Sequence, residues 1–198
     1  MKIYLIRHGQ SVANKNNEWT GQRDLPLSPE GIEEQKRLCA LFTYPRAELG
    51  FSSPLRRCSD SYRLIYGRAP ELLLPELMEC SLGVLEGRCY TDLTNDPNYL
   101  AWLASPELPL PQGESFRGFT ERVCRGFSQL LSRGRGRGIT SAAGTMHGNV
   151  MRAILHHFAA PEIPHGEWKI PNGGLYKLEL DDKGLCRSWS TEPEFLFK

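Results

Sequence analysis

Four apolar residues in succession, Ile3 to Ile6, run straight into Arg7, His8 and Gly9. An unbroken run of that length predicts a strand buried on both faces, with a cation and an imidazole at its carboxyl end. Ser28 and Pro29 then suit a helix start, and Ile32, Leu38, Leu41 and Phe42 continue at near-helical spacing, so a helix is expected from about 29 to 43. Residues 47–51 form a short strand candidate, followed by a second helix with Ser53 as its cap and Pro54 at its first position. Residues 71–87 read as an apolar strand, a proline, and acidic residues around Gly83 and Gly87. From Glu114 to Leu131 the residues Phe116, Phe119, Val123, Phe127, Leu130 and Leu131 fall on one helical face, as core residues. The following arginines, Arg133 to Arg137, alternate with glycine and read as a flexible basic loop. Residues 139–155 give a small-residue strand ending on a second His-Gly, His147-Gly148, and then a helix. Two final strands joined at Asp181 to Gly184 predict a hairpin at the sheet edge.

Strands alternating with helices predict an α/β three-layer sandwich, its central sheet mostly parallel and covered by helices on both faces. In such sheets ligands sit at the carboxyl ends of the strands, which is where both His-Gly pairs fall. The 88–113 stretch, rich in Asp, Asn, Pro and Leu, predicts a helical turn and a loop lying over a pocket. We read it as a cap-like insert, where substrate choice would reside, within a single domain spanning 1–198.

Composition narrows the partners. The 198 residues are 40% hydrophobic and 24% charged with a formal net charge of +1, so phosphate-binding charge has to be local, and nucleic acid is not expected. No leader precedes the first strand and no apolar run reaches membrane-spanning length, so a cytoplasmic protein without membrane contact is expected. Six scattered cysteines without a CxxC pair read as reduced, packed thiols rather than as metal ligands. His156, His157 and His165 lack spaced partners and read as structural or solvated. A homodimer stays open.

The Arg7-His8-Gly9 run with Ser11 and Asn14, the segment Ser52-Ser53-Pro54-Leu55 ending on Arg57, the acidic stretch closing on Glu86-Gly87, and His147-Gly148 occur in one order along the chain. Together they resemble the signature of the histidine phosphatase superfamily, whose fold is phosphoglycerate mutase-like, and the resemblance covers essentially the whole chain. It implies a phosphatase in which His8 is the nucleophile forming a phosphohistidine, while Arg7, Arg57 and His147 form a positive cage for the phosphate. Glu79 is implied as the general acid and base; Glu76 is a neighbouring carboxylate, but spacing to Gly83 favours Glu79. Asn14, Thr20, Gly21 and Gln22 resemble positions that touch phosphate or substrate. No cofactor or metal is required by this scheme. Met146 departs from the family pattern, which has Ser or Thr immediately before the second His-Gly.

The implied substrate is a small phosphorylated metabolite. The Asn98–Trp102 segment followed by Pro111–Ser115 is similar in placement to that of the α-ribazole phosphatases, making α-ribazole phosphate a candidate. A phosphoglycerate mutase would share the same pocket residues, and a catalytically silent phosphate-binding protein would keep the arginines. Neither is excluded by sequence, although a mere binder has no need of an acid aimed at the leaving group.

Overall fold

The computed structural model describes residues 1–105 and 107–197. Pro106, inside the expected insert, and Lys198, at the end of the expected domain, lie outside the described residues. The strands are β1 (Lys2–Arg7), β2 (Leu49–Ser52), β3 (Leu72–Leu73), β4 (Ser141–Met146), β5 (Leu175–Leu180) and β6 (Cys186–Glu192). They form one sheet in the order β3-β2-β4-β1-β5-β6. Pairings from β3 through β1 are parallel, and β5 and β6 are the antiparallel hairpin at the edge. The helices are α1 (Val12–Lys15), α2 (Pro29–Leu41), α3 (Arg56–Tyr66), α4 (Tyr90–Leu93), α5 (Pro97–Ala104), α6 (Phe116–Gly136) and α7 (Gly148–Ile154).

The apolar run in β1 is divided between two cores because successive strand side chains point to opposite faces. Ile3 and Leu5 pack with Phe119, Val123, Phe127, Val150 and Ile154 of α6 and α7. Tyr4 and Ile6 face the other way, toward Cys39 of α2 and Ile65 and Tyr66 of α3. Each fully buried side chain of this size contributes about 1.5–3 kcal/mol, so covering both faces is what makes a continuous apolar strand stable here. The small residues of β4 have a packing reason. A Cβ on Gly144 would lie 2.4 Å from the Phe51 ring, so the neighbouring strand fills the space that a side chain would need.

Two expectations need correction. Helix α3 begins at Arg56, with Leu55 at its cap position, rather than at Ser53 and Pro54. The Ser53 hydroxyl is engaged instead with the ring of His147, across from the neighbouring strand, which draws it away from a capping role. The Arg133–Arg137 stretch is not a loop for most of its length, since α6 runs on to Gly136. There Gly134 is buried against Met1, and Arg133 and Arg135 occupy the last turn, where cations complement the helix dipole. Packing of α6 along the sheet thus outweighs the low helix propensity of its glycines. Ser28 does cap α2, accepting from the Gly31 amide at 2.9 Å.

Residues 88–113 hold more helix than one turn, comprising α4 and α5, and they carry a small core of their own. Leu93, Tyr99 and Leu110 pack there with Leu82 and Leu85. Trp19, from the loop after α1, packs against this group and is tied to it by backbone bonds with Arg88 and Gly87.

Candidate active site

Parallel strands β2, β4 and β1 lie side by side, so their carboxyl ends bring Ser53, His147 and His8 together. The imidazoles of His8 and His147 meet edge to face, with centroids 5.3 Å apart. Above them opens a cleft of about 600 Å³. Arg7, His8, Asn14, Thr20, Arg57 and Glu79 line it, so six of the nine residues named from sequence stand on its wall. His147 is fully buried behind the lining, against His8.

His8 Nδ1 lies 2.6 Å from the Gly9 carbonyl oxygen. A carbonyl can only accept, so Nδ1 carries the proton and the lone pair is left on Nε2. Burial, then the charges of Arg57 and Arg7, push the His8 pKa well below its ordinary value, so the ring is neutral at pH 7. His147 is also pushed well down, by burial first and then by Arg57, His8 and Arg7. His147 therefore offers a hydrogen bond rather than a full charge, and the lasting positive charge at the cleft is that of arginine. His147 Nε2 is 2.8 Å from Ser53 Oγ, and the buried Cys58 thiol lies 3.4 Å from the same nitrogen. Burial raises that thiol to about 12, which keeps it neutral.

Arg57 projects from the first turn of α3 and is 2% exposed, whereas Arg56 points to solvent. Its guanidinium donates to the carbonyls of Gly21 (2.7 Å) and Arg23 (2.9 Å), which aims the remaining N–H groups. Arg7 donates through Nη1 to the Ile170 carbonyl at 2.5 Å, while its buried Nε has no protein partner. Glu79 is buried, its carboxylate accepting from the backbone amides of Cys80 (2.9 Å) and Asn149 (3.2 Å). Burial raises its pKa and outweighs those two hydrogen bonds and the charges of Arg57 and Arg7, which lower it. That is the balance a proton donor needs near neutral pH.

Asn14 belongs to a capping box with Ser11 that fixes α1 beside the cleft. Gly21 and Gln22 stand behind the wall rather than on it. The Glu86 carboxylate accepts from their amides at 3.0 and 2.8 Å, and the Gln22 side chain donates to the Glu79 carbonyl at 3.1 Å. Met146 points away from the cleft into the main core, and the nearby hydroxyls are those of Thr145, Ser52 and Ser53. Of these, Ser53, just past the end of β2, is the one that reaches the His147 ring.

Several residues were missed by sequence reasoning. Arg152 lines the cleft, donating to Asn149 Oδ1 at 3.3 Å and to the Trp168 carbonyl at 3.2 Å. The signal was available: Asn149 and Arg152 are polar at i and i+3 on an otherwise apolar helix. His165, read as structural or solvated, also faces the cleft, as do Trp19 and Trp102, and no local pattern marks them. Arg122 of α6 is invisible in sequence as well. It grips Glu114 with two N–H groups at 2.7 Å and donates to the carbonyls of Glu76, Met78 and Glu79, fixing the backbone that carries the acid. Among the described residues no cluster of His, Cys, Asp and Glu could hold a metal ion, and no helix is long and apolar enough to cross a membrane.

Residues 3–191 match the family model of the histidine phosphatase superfamily, branch 1. An adenosylcobalamin/alpha-ribazole phosphatase of Salmonella typhimurium is 36% identical over 135 residues, covering 66% of this chain and 67% of that protein. A 2,3-bisphosphoglycerate-dependent phosphoglycerate mutase of Bifidobacterium longum is 29% identical over 216 residues, covering 91% and 87%. Among solved structures, the alpha-ribazole phosphatase from Shigella flexneri superposes with a TM-score of 0.79 at 25% identity, covering 94% of this chain and 93% of that one. The phosphoglycerate mutase from Thermus thermophilus gives 0.68 at 30% identity, covering 96% and 98%.

Proposed function

This chain belongs to the histidine phosphatase superfamily and is a phosphatase, and on that premise we propose that it hydrolyses a small phosphate monoester through a phosphohistidine on His8. The observation that carries the reading is the bond from His8 Nδ1 to the Gly9 carbonyl, which leaves Nε2 unprotonated on a ring that lines the cleft. Arg7, Arg57 and His147 hold the phosphate oxygens, with Asn14 and Thr20 at the rim, and Arg152 adds a third guanidinium. Nε2 attacks phosphorus in line. The phosphorus–oxygen bond to the alcohol breaks, its electron pair stays on the leaving oxygen, and protonated Glu79 supplies the proton. Water then attacks the phosphohistidine, Glu79 takes its proton, and the phosphorus–nitrogen bond breaks to release phosphate and neutral His8. Gly21 and Gln22 act indirectly, through Arg57 and Glu79.

The two kinds of relative point to different substrates, and the alpha-ribazole phosphatases favour α-ribazole phosphate. We read residues 88–113 as a cap within one domain, its helix α5 contributing Trp102 and Leu103 to the cleft. The test is phosphate release from a panel containing α-ribazole phosphate and phosphoglycerates, with native protein and His8→Ala. Release abolished in the variant supports the nucleophile, and equal release by both sinks the mechanism. Isomerisation of phosphoglycerate with little phosphate released would favour a mutase instead.

A further inference from the structure

Glu86 is not among the residues lining the cleft and takes no part in the chemistry above, yet its carboxylate joins the two halves of the site. One oxygen accepts from the Gly21 amide at 3.0 Å, and the other from the amides of Gln22 at 2.8 Å and Leu82 at 3.4 Å. Among the described residues no cation pairs with it, so its charge acts on the backbone. The Gly21 amide belongs to the loop that aims Arg57, whose guanidinium donates to the carbonyls of Gly21 (2.7 Å) and Arg23 (2.9 Å), on either side of Gln22. Gln22 leads to the acid, because its side chain donates to the Glu79 carbonyl at 3.1 Å. Packing leaves this loop no slack. A Cβ on Gly21 would lie 1.9 Å from the Cys80 carbonyl oxygen, so the loop rests directly on the segment that carries Glu79 and the amide bound to its carboxylate. Hydrogen bonds from amides to a carboxylate are about twice as strong as neutral ones, so three on one residue fix the spacing between loop and acid. Backbone bonds from Gly87 to the Trp19 carbonyl and from Trp19 to the Arg88 carbonyl tie the same two segments alongside, so removing the carboxylate loosens the loop without detaching it.

Resting on the phosphatase reading above, we propose that Glu86 is a positioning residue for both halves of the site. Through Gly21 it sets where Arg57 meets the phosphate, and through Gln22 it sets where Glu79 meets the leaving oxygen. It touches neither the phosphate nor the alcohol itself. Its substitution therefore weakens phosphate binding and leaving-group protonation together, whereas the two would vary separately if each half were held only by its own contacts.

The experiment compares the native full chain with Glu86→Gln, Glu86→Met and Gln22→Met. Calorimetric titration with inorganic phosphate reads the Arg57 half without turnover. The ratio of kcat/KM for p-nitrophenyl phosphate to that for propyl phosphate reads the Glu79 half, since nitrophenolate leaves with little need of a proton. Glu86→Met should bind phosphate about tenfold more weakly and raise the ratio about tenfold, a part of the 10²–10⁴-fold that a positioned acid supplies. Glu86→Gln keeps one acceptor oxygen and should lose less in both readouts. Gln22→Met removes only the side-chain bond to Glu79, so it should raise the ratio while phosphate affinity stays close to native. A merely structural role would lower kcat for both substrates in step and leave the ratio unmoved. Native phosphate affinity in Glu86→Met, or an unchanged ratio, overturns the proposal. Equal phosphate release by native protein and His8→Ala would sink the phosphohistidine reading instead, and the affinity readout, made without turnover, stands in that case.

Discussion

In the proposed mechanism Glu79 is the residue on which the two half-reactions turn, and its surroundings set opposing demands. Burial keeps it protonated, while two backbone amides and two arginines favour the carboxylate. Replacement by glutamine keeps the shape and removes the proton, so phosphate release from an alkyl ester should fall about 10²–10⁴-fold. With p-nitrophenyl phosphate, whose leaving group needs little protonation, Glu79→Gln should release a burst of nitrophenol close to one per enzyme and then slow, because water attack still needs the base. Steady release without a burst in rapid-mixing experiments would remove Glu79 from the second step. The pH profile of native protein follows from the same directions. Since His8 stays neutral well below its ordinary pKa, the rate against pH should show no acid limb near about 6.5. The alkaline limb belongs to Glu79 and should disappear in Glu79→Gln.

At the scale of elements, α6 joins the core to the acid. Arg122, a turn and a half into the helix, binds Glu114 and three carbonyl groups around Glu79. Arg122→Met leaves Glu114 half-buried without its partner, which should cost about 3 kcal/mol and be measurable by urea unfolding. The glycines of the same helix test its propensity. Nothing lies within 4 Å of a Cβ added to Gly136, so Gly136→Ala should stabilise by about 0.5–1 kcal/mol. At Gly134 the added Cβ would sit 2.7 Å from Met1 Cε, the free end of a flexible side chain that can swing aside, so Gly134→Ala should keep most of that gain. A lowered unfolding midpoint in Gly136→Ala would contradict the open space beside it.

For the whole molecule, three histidines held neutral by burial make stability depend on pH. Below about 6.5 an unfolded chain protonates them, whereas the folded chain resists until well below that value for His8 and His147 and until about 4 for His165. The unfolded state therefore binds more protons in this window, and stability falls as pH drops through it. Glu79 runs in the opposite sense: its raised pKa contributes stability at and below the unfolded carboxyl value and loses it as pH rises through the folded one. Calorimetric unfolding should give a midpoint that declines from pH 7 to pH 5, and a flat profile would contradict the buried neutral rings. Inorganic phosphate should raise the midpoint at pH 7, through a stabilisation of about 2.7 kcal/mol at one hundred times its dissociation constant.

The strand-and-helix order was legible in the linear chain because buried strands leave apolar runs, and the motifs at strand ends foretold that Arg7, His8, Arg57 and Glu79 would share one cleft with His147 beside His8. Ser28 as a cap was equally legible, since capping is a local bond. Ser53 was misread by the same local rule, because its partner, His147, is 94 residues away. It took the folded chain to show which nitrogen of His8 is free, that His147 is neutral, and that Arg152, His165, Trp19 and Trp102 share the cleft. Those properties depend on burial and on contacts between distant segments, and neither leaves a periodicity or a spacing for a linear reading to find.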